Sequence, residues 1–306
     1  MELPKEIAGL YRHWEFHTGA ARPKKTVAEV YTDPTLFDAM LSFLRLRMSV
    51  WEKKYKGEPA PYTDDPIVSS YRFCNMLREL DKQTIEFHTF LNPLRDDFSV
   101  WLLNMFYCRM VARPETVRAV GLLSFDQVED EALLERLLAS PRPRYGTPYV
   151  FPVSVILRSS TPTREEFITK YLPSVMKDVA KEVTTWNRLS VIEGVQSVVD
   201  IFGFNLHFLW TEVLIDIAYQ FPQYIDLYKE FPIGPGSLPT MKRINSNIEP
   251  SKLTVELAAL GTESGLTYNG RPILLSGENW EGVGCEFRKY TNLKAGKGRK
   301  RRFAVR

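Results

Sequence analysis

Cysteine is scarce in these 306 residues: Cys74, Cys108 and Cys285 lie far apart and form no C-x-x-C pair. That excludes a disulfide scaffold and the usual zinc or redox spacings. Histidine is almost as rare, at four. His13 and His17 flank Glu15, but His-Trp-Glu-Phe-His is not H-E-x-x-H and brings no third ligand close by in the sequence, so no metal is expected. No apolar run reaches the roughly 20 residues of a membrane span. The opening Met1-Glu2-Leu3-Pro4-Lys5-Glu6 also lacks the apolar stretch of a signal peptide. The expectation is a soluble, cytoplasmic protein with no membrane partner. G-x-x-x-x-G-K-[ST] is absent, including at Gly296-Lys297-Gly298, so Walker-type phosphoryl transfer is not expected of these residues. Alternating strand patterns of quality and internal repeats are missing too.

What is present is helical punctuation. Asp33-Pro34 and Asp65-Pro66 each place an acceptor at a helix start and a proline where the N–H is unpaired anyway. Thr163-Arg164-Glu165-Glu166 and Ser190-Val191-Ile192-Glu193 are capping boxes. These signals predict an all-α fold with at most a short β element, placed at residues 148–157, where a Val-, Tyr- and Phe-rich run reads as a lone strand or an extended connector. Pro141-Arg142-Pro143-Arg144-Tyr145-Gly146 is the clearest break. It divides an N-terminal helical part (1–145) from a second part (146–293). A basic tail (294–306) follows.

Asp65-Pro66 predicts a helix reaching about Phe90. Phe73, Leu77, Leu80, Thr84 and Phe87 would form its core face, and Tyr71, Asn75, Arg78 and Lys82 a polar one. Cations beside an amide suit an anion or nucleotide, because Arg offers a planar fork to phosphate; a solvated face with ordinary ion pairs fits the same pattern. Gly203 ends one helix and Asn205 caps the next, as in a helix-hairpin-helix, whose turn N–H groups can hold a DNA backbone. Gly234-Pro235-Gly236-Ser237 precedes a helix near Leu238, where close backbone approach and free N–H donors favour phosphate. Nine of the 40 Lys and Arg fall in residues 288–306, with no acid, leaving 31 basic against 37 acidic residues elsewhere. Such a tail, with Lys297, Arg299, Lys300, Arg301 and Arg302, points to nucleic acid, with nuclear import or a merely disordered tail as alternatives.

Four blocks carry a resemblance: Asp65-Pro66-Ile67 with Tyr71-Arg72-Phe73-x-Asn75-x-x-Arg78-x-x-Asp81; Gly203-Phe204 with Asp216-Ile217-Ala218-Tyr219; Gly234-Pro235-Gly236; and Cys285-Glu286-Phe287-x-Lys289-Tyr290. Their order across residues 65–303 resembles the alpha-glutamyl/putrescinyl thymine pyrophosphorylase family. These are viral and fungal DNA hypermodification proteins related to the helical domain of 5-hydroxymethyluracil DNA kinases. The resemblance implies one DNA-glycosylase-like fold completed by residues 146–293, in a phage-type protein that replaces the pyrophosphate of 5-(pyrophosphoryloxymethyl)uracil in double-stranded DNA with an amine or amino acid. No cofactor is implied. Arg72, Arg78, Lys289 and the Gly234–Ser237 loop would stabilise the leaving group, and Asp216 would take the amine's proton. Asp216 reads equally as a buried acid paired with an arginine or a helix end. Asp65, Tyr71, Asn75 and Asp81 complete the expected site, into which the modified base would be flipped. A non-catalytic DNA-binding adaptor and a base-excision glycosylase are the alternatives.

Overall fold

The computed structural model describes residues 1–19, 22–146 and 151–297. Helices dominate it, and among the described residues there is one two-stranded sheet. The chain divides into two compact units, one made of residues 1–8, 14–81 and 227–306, the other of residues 9–13 and 82–226. The expected break near 145 therefore falls inside the second unit.

In the first unit two long helices set the frame. Asp33 accepts from the Thr35 N–H at 3.0 Å and Pro34 opens the helix Pro34–Tyr55, which buries Leu36, Met40, Phe43, Leu44, Met48 and Trp51. The closing helix, Gly277–Lys294, starts from a buried capping box in which Ser276 and Asn279 exchange hydrogen bonds. Phe43 joins the two, with its ring 5.8 Å from Phe287 and 4.9 Å from Tyr290. At the closing helix's first residue the N–H of Gly277 donates to the Leu227 carbonyl, and a Cβ there would meet that same oxygen at 3.1 Å. A side chain there would have to push that carbonyl or the neighbouring Thr254 aside by a few tenths of an ångström.

The sheet is not where the sequence placed it. Residues 147–150 lie outside the described residues, and Val153–Arg158 is a helix. The strands are Glu263–Tyr268 and Arg271–Leu274, joined by Asn269-Gly270, both at positive φ (51° and 72°). Asn-Gly between apolar-bearing runs is the strongest short hairpin signal, because both residues tolerate the left-handed turn that matches strand twist. The short, uneven alternation of Glu-Ser-Gly-Leu-Thr-Tyr hides it. Glu2 holds the turn by accepting from the Asn269 N–H at 2.7 Å.

The second unit is built on two helices that are buried nearly all round. Residues 101–111 of Phe98–Val111 are all buried, as is most of His207–Gln220. Phe106, Phe202 and Trp210 pack ring to ring at 4.7–5.1 Å. No single described helix is long and apolar enough to cross a membrane. Val191–Phe202 and His207–Gln220 reach that apolarity only together, but their axes differ by 118° and their apolar side chains supply this core. Gly203 makes the turn at φ 78°, donating to the Val199 carbonyl at 2.9 Å. Leu206, not Asn205, is the residue preceding the second helix, and it supplies no side-chain cap; Asn205 accepts only weakly from the His207 N–H, at 3.4 Å.

Candidate functional site

The segment expected to be one helix from Pro66 to Phe90 is not. Asp65 does cap a helix, accepting from Ile67 and Val68 at 2.9 and 2.8 Å, but it stops at Ser70. Tyr71 is extended (φ −120°, ψ 149°), no helix forms through Leu77, Arg78–Leu80 is a single tight turn, and helix resumes only at Lys82–Leu91. Short polar side chains compete for the backbone here. The Asn75 amide donates to the Leu80 carbonyl at 2.9 Å, and Asp81 accepts from the Asn75 N–H at 3.1 Å. Asn75 and Asp81 thus shape the loop, and the helical spacing of Tyr71, Asn75, Arg78 and Lys82 puts no common face together.

An irregular segment must find partners for its backbone outside any ladder, and the closing helix supplies them. Glu286 accepts from the Cys74 N–H at 3.1 Å, and Lys289 donates to the Arg72 carbonyl while lying 4.7 Å over the Phe73 ring. Tyr290 donates to Asp65 at 2.7 Å; burial, then that carboxylate, push its phenol up to about 12. Arg47, from the long helix, reaches the Phe73 and Cys74 carbonyls at 3.4 and 3.3 Å. Glu286, Lys289 and Tyr290 recur at helical spacing, so one face of the closing helix grips the segment. Lys289 is therefore a clamp, the Arg72 side chain is exposed, and Tyr71, Asn75 and Arg78 are half-buried.

Another face, Glu281, Cys285 and Arg288, holds the loop expected to bind phosphate. Glu281 accepts from the Gly234 N–H at 3.2 Å and from the Ser237 hydroxyl at 2.5 Å. Arg288 donates to the carbonyls of Pro235 and Gly236 at 2.9 and 3.3 Å. The loop's donors already face a carboxylate of this chain, which would repel a phosphate, and the helix it opens, Leu238–Ile244, has only seven residues. Gly236 is explained by packing instead: a Cβ there would lie 2.5 Å from the Cys285 sulfur.

Asp216 belongs to the second unit and is fully buried. Arg109 grips it through two 2.6 Å bonds, Nε to Oδ2 and Nη2 to Oδ1, and His88 Nε2 stands 3.0 Å from Oδ1. Gln220 spends its two amide protons on the Leu10 carbonyl at 2.5 Å and His88 Nδ1 at 3.1 Å. With the Gln220 amide so oriented, Nδ1 of His88 accepts from it and Nε2 donates to Asp216. The acid is thus half of a bidentate ion pair in the core, the second of the two readings its sequence allowed. His88, Arg109 and Gln220 were missed; the available signal was Arg109, the lone charged residue in the largely apolar Phe98–Val111 run, which calls for a buried partner.

Gly203 and Asn205 are exposed on their turn, where the Tyr171 hydroxyl donates to the Phe202 carbonyl at 2.5 Å. Lys297 is exposed after the closing helix, and Arg299, Lys300, Arg301 and Arg302 lie outside the described residues.

Residues 34–299 match the family model described as the helical domain of 5-hmdU DNA kinase. Over 140 residues the chain is 31% identical to a 5-hmdU DNA kinase of Bacillus phage SP10. The match covers 44% of this chain and 22% of the phage protein, so the chain spans about a fifth of that relative's length. No solved structure matches the chain.

Two substitutions probe these assignments. Asp216→Asn leaves the Arg109 guanidinium buried without its counter-charge and should lower unfolding free energy by about 3–5 kcal/mol, read by denaturant titration; unchanged stability would contradict the core ion pair. Gly236→Ala should destabilise through contact with Cys285, and Cys285→Ala should relieve most of that loss in the double variant. Simple additivity would show that the two residues do not touch.

Proposed function

This chain belongs to the family of the 5-hmdU DNA kinase helical domain, and from that premise we propose that it acts in thymine hypermodification of phage DNA. The observation that carries the reading is the match over residues 34–299, which runs through both the gripped segment and the closing helix that grips it. With no Walker loop in these residues, the step assigned here is not phosphorylation but the one after it. An amine or amino acid nitrogen forms a bond to the exocyclic methylene of the pyrimidine, the methylene–oxygen bond breaks, and pyrophosphate leaves with the electron pair. The nitrogen then gives up its surplus proton.

Charge accumulates on the departing pyrophosphate, so the residues that matter are fixed cations. We assign Arg72, whose side chain is exposed, to contact it, and Arg78, whose terminal nitrogens are enclosed, to act on it only as a nearby positive charge. Both sit on a segment whose backbone is tied down by Glu286, Asn75 and Asp81, so they are positioned without a regular helix. Lys289 supports them through the Arg72 carbonyl. The Gly234–Ser237 loop and Asp216 are left out of the reacting set: the first already holds a carboxylate, and the second is neutralised by Arg109. The proton passes to water or a surface carboxylate once the carbon–nitrogen bond has formed and the nitrogen has become acidic. The basic tail attracts the duplex through its phosphates without reading sequence.

The test is to incubate the protein with duplex DNA carrying 5-(pyrophosphoryloxymethyl)uracil and a panel of amines and amino acids, then digest to nucleosides for mass spectrometry. The expected product is an aminated nucleoside plus pyrophosphate, and Arg72→Ala should slow its formation about a hundredfold with folding intact. Release of a free base would mean a glycosylase. An unchanged substrate would mean an adaptor.

A further inference from the structure

The two long helices of the first unit run side by side in the same direction. The Phe37 ring lies 6.4 Å from Trp280 and the Phe43 ring 4.9 Å from Tyr290, so both helices advance together. Pro34–Tyr55 and Gly277–Lys294 therefore finish at one end of the unit. The backbone of Arg72 and Cys74 is gripped near that end, by Lys289 and Glu286. Beyond Phe43 and Tyr290 the facing stripes run on to Lys54 on one helix and Lys294 on the other, so the apolar seam gives way to cations.

These cations are held by carbonyls and rings. Lys53 donates to the Tyr62 carbonyl at 3.1 Å, and Lys294 lies 5.8 Å over the Tyr290 ring. Neither forms an ion pair among the described residues, nor does the exposed Lys297. Lys54 sits 5.2 Å over the Tyr62 ring, and partial desolvation, then the neighbouring Arg47 charge, hold its ammonium below the ordinary lysine range. The acids of the two helices here are committed, Glu52 to Lys56 at 2.6 Å and Glu286 to the Cys74 N–H and Lys289. Glu58 and Asp64 are exposed on the connecting loop but are outnumbered. The helix C-termini add about half a negative charge each, less than the cations set around them. Residues 299–306 then continue from this end with five more cations and no acid.

We propose that this end of the first unit is the docking face for the backbone of duplex DNA, with Lys53 and Lys294 each on a phosphate and the basic tail extending the track. Fixed positive charge without carboxylate partners fits a ligand whose negative charge repeats along its length. Such contacts set position and carry no sequence information. The inference rests on the proposal that the chain acts on DNA, and adds where the duplex lies: beside the gripped segment that carries Arg72.

Anisotropy titrations of a labelled duplex with the full chain, over a range of salt concentrations, test it. Each phosphate contact contributes about 0.9 to the slope of log affinity against log salt. Lys53→Gln/Lys294→Gln should therefore flatten the wild-type slope by about two, whereas Lys53→Arg/Lys294→Arg, which keeps both charges, should keep it. Lys229→Gln/Lys252→Gln removes the same charge from the opposite end, where Leu227 and Thr254 meet Gly277 at the start of the closing helix, and should leave the slope unchanged. A wild-type slope in Lys53→Gln/Lys294→Gln, or equal flattening by both glutamine pairs, would overturn the docking face while leaving the transfer assay untouched. Failure of the wild type to bind the duplex at all would overturn the DNA role and the face together.

Discussion

Backbone groups that leave regular structure must still be satisfied, and in the first unit one helix meets that need for two separate stretches of chain. The closing helix offers Glu286 to the Cys74 N–H and Lys289 to the Arg72 carbonyl on one face, and Glu281 and Arg288 to the Gly234–Gly236 loop on another. Each of these bonds is worth only about a kilocalorie or two net, but an unmet buried partner costs more than that. Removing a clamp residue therefore frees the segment to move before it unfolds the unit, which is how positions far apart in sequence come to depend on each other.

This arrangement explains why the sequence was legible in parts. The capped starts at Asp33, Asp65, Thr163 and Ser190 lie where local chemistry decides, and local chemistry is what a sequence displays. The helical character of the fold followed from them. Residues 71–77 misled because apolar side chains happen to recur there near the helical period, while the deciding bonds come from Glu286, more than two hundred residues away. The Asn269-Gly270 turn was readable and overlooked, its strands too short and irregular to alternate cleanly. The ordered motif blocks signalled the family, and the match over residues 34–299 agrees with that relation.

Residue roles were harder to read than family. A glycine loop before a helix looks the same in sequence whether its N–H groups await a phosphate or hold Glu281, and Gly236 is explained by the Cys285 sulfur rather than by a ligand. Asp216 illustrates the same point from the core. Its partners come from three places in the chain, His88, Arg109 and, through the imidazole, Gln220, and only their convergence turns an apparent base into a structural anion. Motif membership said these residues matter; geometry says by what means.

The central claim is that the closing helix holds the Tyr71–Leu77 segment in its working shape. Amide hydrogen exchange in Glu286→Ala tests it most directly. The account predicts that protection of the Cys74 amide and its neighbours collapses while peptides from the Phe98–Val111 helix exchange as in the wild type. Unchanged protection across residues 71–77 would contradict it.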